Sequence, residues 1–90
     1  MIKLQIKNID GYNYSLEDSN SNKYIINIEF YSSKPEILDY LYLNESLLKE
    51  KILNIGPLTN PCGKDIIEDD EDLIILEHSQ NKIYLKRIYG

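Results

Sequence analysis

The feature that most limits the fold of this chain is an alternation of apolar and polar residues that returns three times in its first third. Ile2, Leu4 and Ile6 alternate with Lys3, Gln5 and Lys7. Tyr12, Tyr14 and Leu16 alternate with Asn13, Ser15 and Glu17. Tyr24, Ile26, Ile28 and Phe30 keep the same rhythm within Lys23 to Tyr31, with Asn27 and Glu29 on the wet side and Ile25 and Tyr31 as apolar exceptions there. Successive side chains of a strand point to opposite sides, so period two marks a strand with one buried face.

The turns between these runs fix which rows can meet. Asp10-Gly11 invites a hairpin. A two-residue turn there pairs Ile9 with Tyr12 and Ile6 with Ser15, which sends the two apolar rows to opposite faces. A three-residue loop, Ile9-Asp10-Gly11, pairs Ile6 with Tyr14 and Leu4 with Leu16 on one face. The second reading is preferred, and it puts Gly11 at the left-handed position of a bulged turn. Across Ser19-Asn20-Ser21, Asp18 opposite Asn22 pairs Leu16 with Tyr24 and Tyr14 with Ile26. The result is a three-strand meander whose inward row is Ile2, Leu4, Ile6, Tyr14, Leu16, Tyr24, Ile26 and Ile28.

Farther on the pattern is broken. Ser32-Ser33-Lys34-Pro35-Glu36 is a connection, since Pro35 has no N–H for a ladder. Tyr40 to Leu43 is a short fourth strand. Asn44 caps a helix of about two turns through Lys51, with Leu47, Leu48 and Ile52 toward the core. Asn54 and Gly56-Pro57 interrupt Ile52 to Leu58, which reads as irregular or as a brief edge strand. Thr59 to Asp72 is the least regular stretch. Leu73 to Leu76 does not alternate and is expected to be covered on both faces. In the closing hairpin, Lys82 to Tyr89, loops of two and three residues give equally good apolar pairs.

Ninety residues make one domain, 1–90. The fold class is mainly β: a small, partly open antiparallel barrel of five or six strands with one short helix as a plug. This strand order resembles the OB-fold, a small barrel plugged by a helix between its third and fourth strands, whose surfaces bind oligonucleotides. The chain departs from that pattern by an additional short strand and a long stretch after the helix.

A net charge of −5 disfavours nucleic acid or an anionic membrane as the main partner. The lone cysteine, Cys62, fits a reducing cytoplasm, and no apolar run suggests a signal peptide or a membrane span. No cofactor, metal or catalytic residue is expected. The acidic run Glu68, Asp69, Asp70, Glu71 and Asp72 lacks the spacing of a calcium loop and reads as a solvated loop. Cys62 and His78, with Asp65 to orient the histidine, hold the elements of a nucleophilic pair, but nothing in their spacing joins them. Asn60-Pro61-Cys62-Gly63-Lys64 lacks the spacing of a phosphate loop.

One stripe carries a binding reading. The last strand interleaves Lys82, Tyr84, Lys86, Arg87 and Tyr89, and Tyr31, Tyr40 and Tyr42 add to a chain with eight tyrosines. Exposed tyrosine marks interfaces, because it gives large contact area at low entropy cost. The expected function is therefore a non-enzymatic binding module whose partner is another protein or itself. Two alternatives stand beside it: single-stranded nucleic acid stacked on the basic aromatic strand, and an acidic inhibitor that offers Glu68 to Asp72 to a basic partner.

Overall fold

The structure, a computed structural model, describes residues 1–30 and 38–88, and Asp65 by its backbone alone. Tyr31, the Ser32–Glu36 connection, Tyr89 and the side chain of Asp65 lie outside what is described. Among the described residues seven strands form, in chain order: β1 (Ile2–Asp10), β2 (Asn13–Glu17), β3 (Lys23–Phe30), β4 (Tyr40–Leu43), β5 (Ile52–Thr59), β6 (Leu73–His78) and β7 (Asn81–Arg87). They close into a ring in the order β1-β2-β3-β5-β7-β6-β4. The chain is thus a small β-barrel. It has more strands than the sequence suggests, the ring is closed, and the β3–β5 pair is parallel.

The added strand is β5. Gly56 and Pro57 argue against a strand interior, yet β5 lies between β3 and β7. The ladder accommodates them with a bulge: Ile28 meets Ile55 and Phe30 meets Leu58, so Gly56 and Pro57 together oppose Glu29. The missing N–H of Pro57 falls at this bulge, and its carbonyl accepts from the Ile88 N–H at 2.9 Å. Gly56 has φ of 142°. A Cβ on it would stand 2.7 Å from the Glu29 Cβ and 2.8 Å from the Glu29 carbonyl oxygen, so only glycine allows this approach.

The first hairpin differs from both sequence registers. Its turn is Gly11-Tyr12, with Asp10 opposite Asn13 and Ile9 opposite Tyr14, and the ladder then slips so that Ile6 meets Leu16. Ile9 explains the change. It breaks the even-numbered alternation, so a regular strand that buries Leu4 and Ile6 must expose it. A bulge at Lys7-Asn8 absorbs one residue and turns Ile9 back against the core. Gly11 is left-handed, at φ 62°, but as the first residue of a two-residue turn.

The second hairpin matches its sequence register, with Leu16 opposite Tyr24 and Tyr14 opposite Ile26. Its left-handed residue is Ser21, φ 66°. The Asp18 carboxylate accepts from the Asn20 and Asn22 N–H groups, both at 2.9 Å, and so ties the loop.

After β4, Asn44 caps as expected: its side-chain oxygen accepts the Ser46 N–H at 2.9 Å. The helix is one 3-10 turn, Glu45–Leu47, and not two α turns. Too short to hold alone, it presses Leu47 and Leu48 on the core. Ile52, expected to face inward, is 67% exposed. Strand pairing sets its direction, since it opposes the outward Ile25. The last hairpin uses a two-residue turn, Ser79-Gln80, with both residues left-handed (φ 48° and 71°).

All eight residues of the expected inward row are buried or pack on the core. Tyr14 is the largest fully buried side chain in it, and burial pushes its phenol pKa up to about 12. Leu73, Ile74, Ile75 and Leu76 are all buried, so β6 is covered on both faces.

Candidate functional site

The outer face of β1, β4, β6 and β7 gathers the described tyrosines of the binding stripe. Cross-strand pairing builds two rows there. Lys3 lies opposite Tyr42, Tyr42 opposite Ile75, and Ile75 opposite Tyr84. One step along, Gln5 lies opposite Tyr40, Tyr40 opposite Glu77, and Glu77 opposite Lys82. Residues directly opposite share a face, so the eight side chains lie together, with Ile75 itself buried among the others.

Charges hold the rings in place. The Lys3 ammonium stands 3.9 Å from the Tyr40 ring centre and 5.8 Å from that of Tyr42. Lys82 stands 5.2 Å from the Tyr42 ring centre. The Tyr42 hydroxyl donates to Glu77 Oε1 at 2.8 Å. Tyr42 is therefore fixed by two cations and a carboxylate. All three tyrosines are half-buried, with part of each side chain facing water.

The rest of the stripe divides. Lys86 and Arg87 are consecutive on β7 and point to opposite faces. Arg87 pairs with the buried Leu58, while Lys86 sits outward and bonds Asp70 Oδ2 at 3.2 Å. They do not make a joint basic patch.

The acidic run packs beside this face, at the Leu73 end of β6. Asp70 Oδ1 accepts the Asp72 N–H at 2.9 Å, and this bond and Lys86 hold its carboxyl below the usual aspartate range. Glu71 Oε1 accepts the Ser46 hydroxyl at 2.8 Å, and the Asp69 carbonyl accepts from Asn44 Nδ2 at 3.3 Å. The Asp72 carbonyl takes the Arg87 N–H at 2.8 Å. The loop is thus pinned to the strands it borders. Glu68 and Asp69 line a groove of about 250 Å³ with Met1, Tyr42, Ile75 and Lys82.

Cys62 and His78 are kept apart. Cys62 is exposed just past the Thr59 end of β5, and Thr59 pairs with Lys86. His78 pairs with Asn81 at the other end of β7. Five residues of strand span about 17 Å. The partner of His78 is Asp39, whose Oδ2 is 3.3 Å from His78 Nδ1 and accepts the Ser79 N–H at 2.9 Å. That carboxylate secures a turn.

Among the described residues, no group of three or more His, Cys, Asp or Glu side chains is placed to hold a metal ion. No described helix is long and apolar enough to cross a membrane. Two larger grooves are present, and the first of them borders this face through Lys3, Gln5 and Tyr40. One of about 440 Å³ runs between the Ile2 end of β1 and the Asp18–Asn20 loop. The other, about 510 Å³, lies on the outer side of β2 and β3.

The sequence names Tyr40, Tyr42 and Tyr84 for this face but not Lys3, Ile75 or Glu77. Lys3 is legible as an outward residue of its strand. What escapes is that β1 borders β4, a pairing between distant segments. Compared with protein-family models, curated proteins and solved structures, the chain matches none of them.

Proposed function

We propose that this chain is a non-enzymatic protein-binding module that works through the β1–β4–β6–β7 face. One observation carries the reading: Tyr40 and Tyr42 are held in fixed orientations by Lys3, Lys82 and Glu77 while part of each side chain stays exposed. An aromatic surface ordered in advance loses little entropy when a partner docks. Nucleic acid is the weaker reading. Lys86 is engaged by Asp70, Lys3 and Lys82 lie on rings, and Glu68, Asp69 and Glu77 share the region. A polyanion needs uncommitted cations. The acidic-inhibitor reading is weakened in the same way, because Asp70 and Glu71 are bonded within the chain.

As a fold type the barrel is proposed to be OB-like. Support comes from the three-strand meander and from β1 closing on a later strand. OB-type barrels bind mainly on strands 2 and 3. The tyrosines stand on other strands, so this likeness does not choose the face.

The test places a photo-crosslinking amino acid at position 40 or 84, and at position 13 as a control on another face. The expected result is a protein adduct from positions 40 and 84, lost when Lys3 and Tyr42 are changed to Ala, together with no binding to a single-stranded oligonucleotide at low salt. Oligonucleotide binding with no protein adduct would overturn the reading.

A further inference from the structure

The turn that closes the last hairpin is built from residues that do not suit it. Ser79 and Gln80 both stand in the left-handed region, at φ 48° and 71°, where Asn and Gly fit at less cost. Backbone held there by other residues is concentrated at functional sites.

Three side chains meet at this turn. Ser79 Oγ lies 3.4 Å from His78 Nε2, and His78 Nδ1 lies 3.3 Å from Asp39 Oδ2. The same Oδ2 accepts the Ser79 N–H at 2.9 Å. A carboxylate can only accept, so in the neutral imidazole the proton sits on Nδ1. Nε2 then keeps its lone pair for the serine hydroxyl. Nδ1 is shut off from water, and Asp39 is its polar neighbour among the described residues. Asp39 is itself fixed through its backbone. Its N–H donates to the Glu77 carbonyl at 2.8 Å, and its carbonyl accepts the Ile6 N–H at 2.9 Å. Both ring contacts are longer than closed hydrogen bonds, as is common for a nucleophile and its base before a substrate arrives. Ser79 is exposed, and the His78 side chain is 43% exposed, so a reagent can reach the pair.

We propose that Ser79 is a modification site, whose hydroxyl takes an acyl group from an activated acyl donor of the thioester class. His78 is the base and Asp39 the positioning residue. The serine Oγ bonds to the acyl carbon while its proton passes to Nε2. The carbon–sulfur bond then breaks, and the thiol leaves with that proton. Nothing is oxidised or reduced, and the chain keeps an ester at Ser79. The site is separate from the binding reading, although the two are neighbours. The pair Glu77–Lys82 of the tyrosine face is the next step of the ladder after His78–Asn81.

The test treats the full chain with p-nitrophenyl acetate, an activated ester, and quenches with acid. The expected result is an acetyl group on Ser79, located by tandem mass spectrometry. Hydroxylamine should remove it, since hydroxylamine cleaves such an ester and spares acetyl-lysine. Ser79→Ala should abolish this adduct. His78→Gln should slow its formation about a hundredfold, and Asp39→Asn about tenfold or more. The chain has one histidine, so its ring nitrogen NMR signals report His78 alone. They should show the Nδ1–H tautomer in the unaltered chain and a shift toward Nε2–H in Asp39→Asn, which a carboxylate that only ties the turn would not cause. Circular dichroism checks the fold of each variant. Acetyl groups confined to lysines and the N-terminus, a Ser79 adduct formed as fast in His78→Gln, or the Nε2–H tautomer in the unaltered chain would each overturn the proposal.

Discussion

On the β4–β6 side of the ring, large outward side chains are held by charged neighbours: Tyr40 by Lys3, Tyr42 by Lys3, Lys82 and Glu77. On the β3–β5 side, Ile25 and Ile52 stand in water, and the strands are fitted through their backbones, with Gly56 against Glu29. Both sides are made of strand-forming residues. The first is ordered by side-chain partners and the second by main-chain shape. Changes of side chain should therefore cost more on the first, and changes of backbone freedom more on the second.

Gly56→Ala is the strongest way to break this contrast. The Cβ has no space beside Glu29 and φ is 142°, so a loss of about 3 kcal/mol or more is expected, read from urea unfolding. Next comes a matched pair. Tyr42→Ala removes a half-buried ring and its bond to Glu77, and should cost about 2 kcal/mol. Ile52→Ala, on the other side, should stay within about 0.5 kcal/mol because the side chain is mostly exposed. Equal losses in the two variants would remove the distinction.

A smaller effect has the opposite sign. Ser79 and Gln80 both have positive φ, at a cost that Asn-Gly avoids. The double change Ser79→Asn, Gln80→Gly should raise stability by about 1 kcal/mol, measured as the unfolding midpoint.

The smallest effect is on pH dependence, since the carboxylates concerned face water. Asp18 is held below its ordinary pKa of 3.8 first by the Asn22 side chain, and Asp70 first by the Asp72 N–H. A folded pKa that is depressed gives stability present above the unfolded value and lost as pH falls through the folded one. The unfolding midpoint should thus drop as the medium is acidified below 3.8. Asp18→Asn and Asp70→Asn should each flatten that decline. A steeper decline in either would contradict the sign.

How much of this was legible follows from the range of each interaction. The β2–β3 register could be read in full, because a three-residue loop and two apolar rows leave one solution. The β1–β2 register could not. Ile9 lies out of phase, and its burial through a bulge at Lys7 depends on the rest of the core. β5 was hidden by Gly56 and Pro57, which signal a break unless one knows that Glu29 stands opposite. The closing turn lacks the Asn or Gly that announces its type. Of the candidate site, the tyrosines were visible as residue types. The partners that fix them come from β1, β6 and β7, and no local pattern reports which strands become neighbours. Arg87 was grouped with Lys86 by sequence, and strand alternation separates them.

The parallel β3–β5 pair has a consequence for how the chain reaches its native state. The meander β1–β2–β3 has only short-range pairings and can assemble while the rest of the chain is still disordered. β3 then waits for β5 across a long intervening segment, and β5 acquires its other neighbour only when β7 exists. Closing such loops before any contact offsets them slows the search, as in other barrels rich in distant pairings. During synthesis the same order applies. The meander first has two bare edges, on β1 and on β3, and the ring cannot shut until β7 has left the ribosome.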